Sequence, residues 1–239
     1  MTVSDTRTSV EYAVGEFPTD YVPRTPKDFR NFVYLVWKHL RLPDPTRMQY
    51  DIAYALQHGG DREMYQAFRG EGKSWLTSAF VCWTLDQHPP YNILVVSASK
   101  SRADDFSTFV MRLIKEMPML QHLIPRDSQR DSKISFDVGP APAAHAPSVK
   151  SLGITSQLTG SRADLIVADD IEVPANSQTQ TMRDKLAEQI KEFDAILKPL
   201  PTARILFLGT PQHEQSVYNK LPDRGYRVRI WPARCPKEK

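Results

Sequence analysis

Gln66-Ala-Phe-Arg-Gly-Glu-Gly-Lys-Ser74 is the stretch whose reading decides the fold. An apolar run, Tyr65 to Phe68, leads into it, and Trp75-Leu-Thr-Ser-Ala-Phe-Val-Cys-Trp83 leads out of it as a helix. The spacing is that of G-x-x-x-x-G-K-[ST], with Ala67 standing where the first glycine is usual. In a strand, loop and helix of this kind, backbone N–H groups wrap phosphate oxygens at the helix N-terminus. Gly70 and Gly72 let the backbone approach, Lys73 reaches the terminal phosphates, and the Ser74 hydroxyl holds Mg²⁺. The nucleotide-contacting set expected from this loop is Ala67, Phe68, Arg69, Gly70, Glu71, Gly72, Lys73, Ser74 and Trp75. The competing reading is a glycine-rich turn that caps a core helix.

A second signal lies about a hundred residues on. Leu165-Ile-Val-Ala168 is a short unbroken apolar run, as expected of a buried parallel strand, and it ends in Asp169-Asp170-Ile171-Glu172. Three carboxylates at the end of a buried strand are costly unless they have a task. Beside a phosphate loop, the first binds Mg²⁺ through water and a neighbour positions or activates the attacking water. Asp169 is read as the metal residue and Asp170 as the catalytic carboxylate, with Glu172 its rival. The alternative is a solvated turn after a core strand.

The remaining sequence bounds the answer. At 239 residues the chain makes one large domain or two small ones, and 41% apolar content supports a core. A net charge of +3 does not by itself announce nucleic acid. Two cysteines, Cys82 and Cys235, exclude a disulfide framework and a cysteine-rich metal site. There is no apolar run of membrane-spanning length and no signal pattern, so no membrane partner is expected and a soluble, cytoplasmic protein is.

Residues 1–26 are polar and aperiodic and read as a flexible arm. Helices are expected from Phe29 to Leu40, from Thr46 to His58, after the loop, from Arg102 to Met117 and from about Thr181 to Leu197. Strands are expected at Ile93–Val96, Leu165–Ala168, Arg204–Leu208 and Tyr226–Trp231, with an antiparallel pair formed by 134–138 and 149–154 around the proline-rich stretch 139–147. Strands alternating with helices predict an α/β domain with a mostly parallel sheet flanked by helices.

Two further positions gain meaning beside a phosphate loop. Gln49, in Pro45-Thr-Arg-Met-Gln49, carries an amide that can both donate to and accept from the edge of adenine. Thr210, in Gly209-Thr-Pro-Gln212 at the end of a late strand, is placed to sense a terminal phosphate. A solvated glutamine and a strand-ending turn are the plain alternatives.

The ordered set Pro45–Gln49, Gln66–Ser74, Val95-Val-Ser-Ala-Ser-Lys100, Leu158-Thr-Gly-Ser-Arg-Ala-Asp164, Ala168–Glu172 and Leu208–Gln212 resembles the large subunit of tailed-phage terminases, of the DNA maturase B type of short-tailed phages. The resemblance runs from about residue 28 to the end. Arg69 and the non-glycine Ala67 match that family's modified loop. The resemblance implies a P-loop ATPase with an additional strand between the loop strand and the acidic strand, using ATP and Mg²⁺. It implies a motor in the host cytoplasm that drives double-stranded DNA into the procapsid, as a ring on the portal protein, with the terminase small subunit as partner. Arg69 and Arg162 are the candidates for an Arg that stabilises the transferred phosphoryl, in its own site or in a neighbour's; for Arg162 an ion pair with Asp164 or a nearby carboxylate is the alternative. The family's second, nuclease domain has no counterpart here: after Leu200 the acidic residues are Glu214, Asp223 and Glu238. Residues 27–239 therefore read as the motor ATPase portion alone. A lobe of a two-lobed helicase and a nucleotide-gated adaptor that does not hydrolyse ATP are the other classes to be separated.

Overall fold

Ile93-Leu-Val-Val96 and Leu165-Ile-Val-Ala168 show no polar alternation, a pattern suited to strands covered on both faces. The computed structural model, which describes residues 25–233, places both inside a seven-stranded sheet. In chain order the elements are α1 (Phe29–His39), α2 (Arg47–His58), β1 (Arg62–Ala67), α3 (Lys73–Gln87), β2 (Ile93–Ser97), α4 (Lys100–Glu116), β3 (Ser135–Phe136), β4 (Val149–Gly153), β5 (Leu165–Asp169), α5 (Pro174–Ser177), α6 (Gln180–Ile196), β6 (Arg204–Gly209) and β7 (Arg227–Trp231). The strand order is β3-β4-β2-β5-β6-β1-β7. Every pairing is parallel except β3 with β4. β6 lies between β1 and β5, which is the additional strand that the resemblance implied.

Successive residues of a strand point to opposite faces, and the two cores follow that parity. Leu165 and Val167 of β5 join the residues of α1 to α4, while Ile166 and Ala168 join Leu186, Ile190, Phe193 and Ile196 of α6. Helix starts obey local chemistry. Thr46 caps α2 in a capping box with Gln49, Ser99 caps α4 and Thr179 caps α6 through their hydroxyls. β7 is the strand next to β1 at the sheet's edge, and two of its five residues are exposed.

The expected elements are found, with ends moved by no more than four residues. The antiparallel pair shrinks to two residues of β3 against Val149 and Lys150. The short helix α5 and the 3₁₀ turns at 118–123, 217–220 and 222–224 were not expected; pieces this short carry no measurable period. Of the arm expected over 1–26, residues 1–24 lie outside the described residues, as does Cys235. Among the described residues no helix is long and apolar enough to cross a membrane.

Candidate active site at the C-terminal edge of the sheet

Parallel strands bring the C-terminal ends of β1, β2, β5 and β6 to one edge, where open α/β sheets bind ligands. β1 ends at Ala67, and the chain turns through Phe68 to Gly72 into α3. Gly70 and Gly72 have φ of +94° and +80°, angles that side chains other than glycine rarely adopt. A cleft of about 630 Å³ opens over this turn, bounded by Arg69, Gly70 and Gly72 to Trp75 on one side and by Arg102, Asp170, Glu172 and Gln212 on the other.

Lys73 is buried, and its ammonium donates to the carbonyls of Ala67 and Phe68, both at 2.9 Å. Burial lowers its pKa, and the charges of Asp170 and Asp169 act against that. The Ser74 hydroxyl donates to Asp169 Oδ2 at 3.0 Å, which joins two motifs 95 residues apart. Asp169 Oδ1 is buried and has no partner among the described residues. Burial, with Asp170 beside it, pushes the Asp169 carboxyl up to about 7, against the pull of Ser74, Lys73 and Arg102. A hydroxyl beside an unpartnered buried carboxylate oxygen is a donor set for a hard cation, so Ser74 and Asp169 fit Mg²⁺.

Asp170 and Glu172, read as rivals, have different surroundings. Asp170 lies where β5 breaks. Its φ is +46°, an uncommon value for a residue other than glycine, and its N–H donates to Leu208 O at 2.8 Å. Its carboxylate lines the cleft and accepts no hydrogen bond among the described residues. Glu172 is 1% exposed and both its oxygens are taken. One accepts from the Gln212 N–H at 3.1 Å; the other accepts from the Ser216 hydroxyl at 2.9 Å and the Val217 N–H at 2.8 Å. Glu172 thus braces the chain after β6, and the carboxylate free to face water is that of Asp170.

The other expected residues divide into those that reach the loop and one that does not. Thr210 donates to Ala67 O at 2.8 Å and stands 3.5 Å from the Lys73 ammonium. Arg69 donates to Gln212 Oε1 at 2.8 Å. Trp75, 42% exposed, lies edge-on to Trp37 at the rim. Glu71 is buried and accepts from the Thr46 hydroxyl at 3.0 Å. Gln49 reaches the loop too, but its amide is differently employed than expected: Oε1 accepts from the Thr46 N–H and Nε2 donates to Glu71 O, both at 2.9 Å. In this structure both ends of the amide are held by the chain around the loop. Arg162 precedes β5 and therefore sits at the opposite end of the sheet. It makes no ion pair with Asp164, the partner weighed for it; Lys198 makes that pair, at 2.8 Å. Within one chain Arg162 is remote from the loop.

Arg102 was missed. It lies in the first turn of α4, borders the cleft, and its guanidinium has no partner among the described residues. Nothing in Lys100-Ser-Arg102 marks it. Its position follows from β2 lying beside β5, which only the strand order reveals.

No protein-family model matches the chain. In sequence it is 55% identical over 214 residues to the terminase large subunit of Enterobacteria phage T3, a match covering 89% of this chain and 36% of that protein. The chain thus spans little more than a third of that relative's length. In structure it is similar to the large terminase of bacteriophage HK97, with a TM-score of 0.58, 15% identity, and coverage of 88% of this chain and 45% of that one. It is similar also to Dbp5 of S. cerevisiae, with a TM-score of 0.54, 14% identity, and coverage of 87% and 53%. At those identities the structural likenesses speak for the fold alone, that of P-loop ATPase domains. The sequence match is the finer evidence, and by it the chain is a homologue of a phage terminase large subunit, matched over about a third of that subunit's length.

Proposed function

We propose that this chain is the ATP-hydrolysing motor portion of a terminase large subunit, driving double-stranded genome DNA into a procapsid. The observation that carries the reading is the Ser74–Asp169 hydrogen bond beside the buried Lys73, because it joins the loop and the acidic strand around one cleft. Lys73 exchanges its two backbone carbonyl partners for phosphate oxygens of ATP. Ser74 and Asp169 hold Mg²⁺, which when bound neutralises charge on those phosphates. Asp170 orients the attacking water and accepts its proton. Thr210 and Gln212 touch the loop from the end of β6, so loss of the terminal phosphate is felt there. Arg69 serves its own site, and Arg162, remote from it, serves a neighbouring subunit's.

The assembly that follows from this reading is a homo-oligomeric ring on the portal protein in the host cytoplasm, with the small subunit as partner. Residues 27–239 form the motor, and genome cutting belongs to a separate nuclease domain. A helicase lobe shares the fold, but the 55% identity is to a terminase subunit. Phosphate release by the purified chain with ATP and Mg²⁺, measured across a wide dilution series and with portal and DNA added, tests the proposal. Turnover that is slow for the monomer and rises with concentration or assembly supports it. Nucleotide binding with no phosphate release under any of these conditions would establish the non-hydrolysing adaptor instead.

A further inference from the structure

Asp169 and Asp170 set a charge problem for the site. A terminal phosphate on Lys73 lies beside both carboxylates, and like charges that close repel. A cation held by Ser74 and Asp169 offsets the repulsion at Asp169. At Asp170 it has to be offset by a side chain, and by one whose own charge is not already spent on a carboxylate.

Two arginines border the cleft, Arg69 and Arg102. Arg69 belongs to the loop itself and donates to Gln212 Oε1. Arg102 comes from α4, on the side of the acidic strand. A smaller pocket of about 290 Å³ adjoins the cleft, and Ser74, Trp75, Arg102 and Asp170 border both. Arg102 therefore stands where the two meet, beside the metal residue and the carboxylate that faces water. Its charge is felt there, since it helps to draw the Asp169 carboxyl down. Yet the guanidinium is uncommitted. Asp105 and Asp170 line the smaller pocket with it, and neither makes an ion pair with it among the described residues. Asp104, on the same turn of the helix, is taken by Lys100 at 2.9 Å.

The mount of this arginine is rigid. Its N–H donates to the capping Ser99 hydroxyl at 3.4 Å. The start of α4 presses on the end of β4 so closely that a side chain in place of Gly153 would stand 2.8 Å from the Lys100 nitrogen. Further along, the hydroxyls of Ser107 and Ser151 join the same helix to the same strand. A guanidinium carried on a fixed helix end has only its own side-chain torsions to set, which keeps the cost of positioning low. Its planar fork matches two oxygens of one phosphate.

We infer that Arg102 is a catalytic residue of its own subunit, closing on the terminal phosphate of ATP from the side of the acidic strand, opposite Lys73. The inference rests on the reading of the cleft as an ATP site. Such a contact exists with a triphosphate and not with a diphosphate, and it strengthens as charge builds up on the transferred group. Arg102→Gln and Arg102→Lys test it in the whole chain, with Arg112→Gln, further along α4, as the control for a lost helix charge and thermal melting as the control for folding. Calorimetric titration with Mg²⁺ and either the imido analogue of ATP or ADP gives the two affinities, and phosphate release gives turnover. Arg102→Gln is expected to weaken the analogue about ten- to a hundredfold and to leave ADP within about twofold of wild type. Turnover falls about a hundredfold, and Arg102→Lys, which keeps the charge and loses the fork, recovers part of both. A folded Arg102→Gln that binds the analogue as wild type does, or that loses analogue and ADP in equal measure, overturns the inference. A wild-type chain that binds the analogue and releases no phosphate from ATP would sink the motor reading, and the two affinities would still decide on Arg102. A wild-type chain that binds neither nucleotide would overturn both.

Discussion

Asp164 and Asp169 stand at the two ends of one strand and are buried alike, at 4% and 7% exposure. Asp164 is matched. It accepts from the Asn92 N–H at 2.8 Å, pairs with Lys198, and has no buried oxygen left without a partner. Asp169 is unmatched, with one oxygen on Ser74 and the other on nothing among the described residues. Burying a carboxylate is unfavourable unless it is paired, so the first residue is a structural post and the second is held ready for a ligand. Burial alone does not separate a functional acid from a structural one; the partner list does.

The largest expected effect is at the unmatched end. Asp170→Asn keeps ATP affinity within a few-fold of wild type and lowers phosphate release by roughly 10²–10⁴-fold, because an amide cannot take the proton. Nucleotide titration and phosphate release measured on the same sample check it. Lys73→Ala follows, with turnover down about 10²–10³-fold for want of one charged donor and with folding retained by circular dichroism. Near-normal turnover in that variant would remove the phosphate-loop assignment.

The next pair inverts the comparison. Lys198→Met leaves Asp164 buried and uncompensated and costs about 2 kcal/mol, less than for a wholly buried pair because Lys198 reaches water. Asp169→Asn, by contrast, removes a buried charge that makes no direct ion pair among the described residues and that burial disfavours, so stability stays level or rises while Mg²⁺-dependent turnover disappears. Denaturant melts of the two variants check the opposite signs; a large loss of stability in Asp169→Asn would make Asp169 a structural post as well. Glu172→Gln puts an amide N–H₂ against groups that already donate and costs about 1–3 kcal/mol, with a far smaller loss of rate than Asp170→Asn. Rates in the reverse order would move the catalytic role to Glu172. The smallest effect is a null. The motor portion alone is expected to leave plasmid DNA intact with Mg²⁺; nicking by the pure chain that is lost on adding a chelator would contradict this.

What was legible in the sequence was whatever a short stretch encodes by itself. The loop from Gln66 to Ser74, the strand before Asp169 and the helix expected from Thr46 to His58 each carry their own spacing, and each is found within a residue or two of its expected place. The strand β6 was legible in its own apolar run, but its place between β1 and β5 only through the family resemblance, since no local pattern fixes strand order. What depends on which side chain meets which was not legible. Gln49 reads from the sequence as an adenine contact or as a solvated helix residue, and its hold on the loop through Thr46 and Glu71 is visible only in the structure. Glu172 and Asp170 are equivalent as letters, and the chain after β6 separates them by occupying the one and leaving the other free. Arg102 is an ordinary basic residue on a helix until the sheet order sets it beside a cleft.

The central claim is that the loop and the acidic strand form one ATP site whose parts are already in position. A crystal structure of this chain with a non-hydrolysable ATP analogue and Mg²⁺ tests it most directly. The account predicts the terminal phosphate on Lys73, the cation between Ser74 and Asp169, Asp170 facing the water beyond the terminal phosphate, and Glu172 still bound to Ser216 and Val217. A nucleotide seated away from Lys73, or a Glu172 released from Ser216 and turned to the phosphate in place of Asp170, would contradict it.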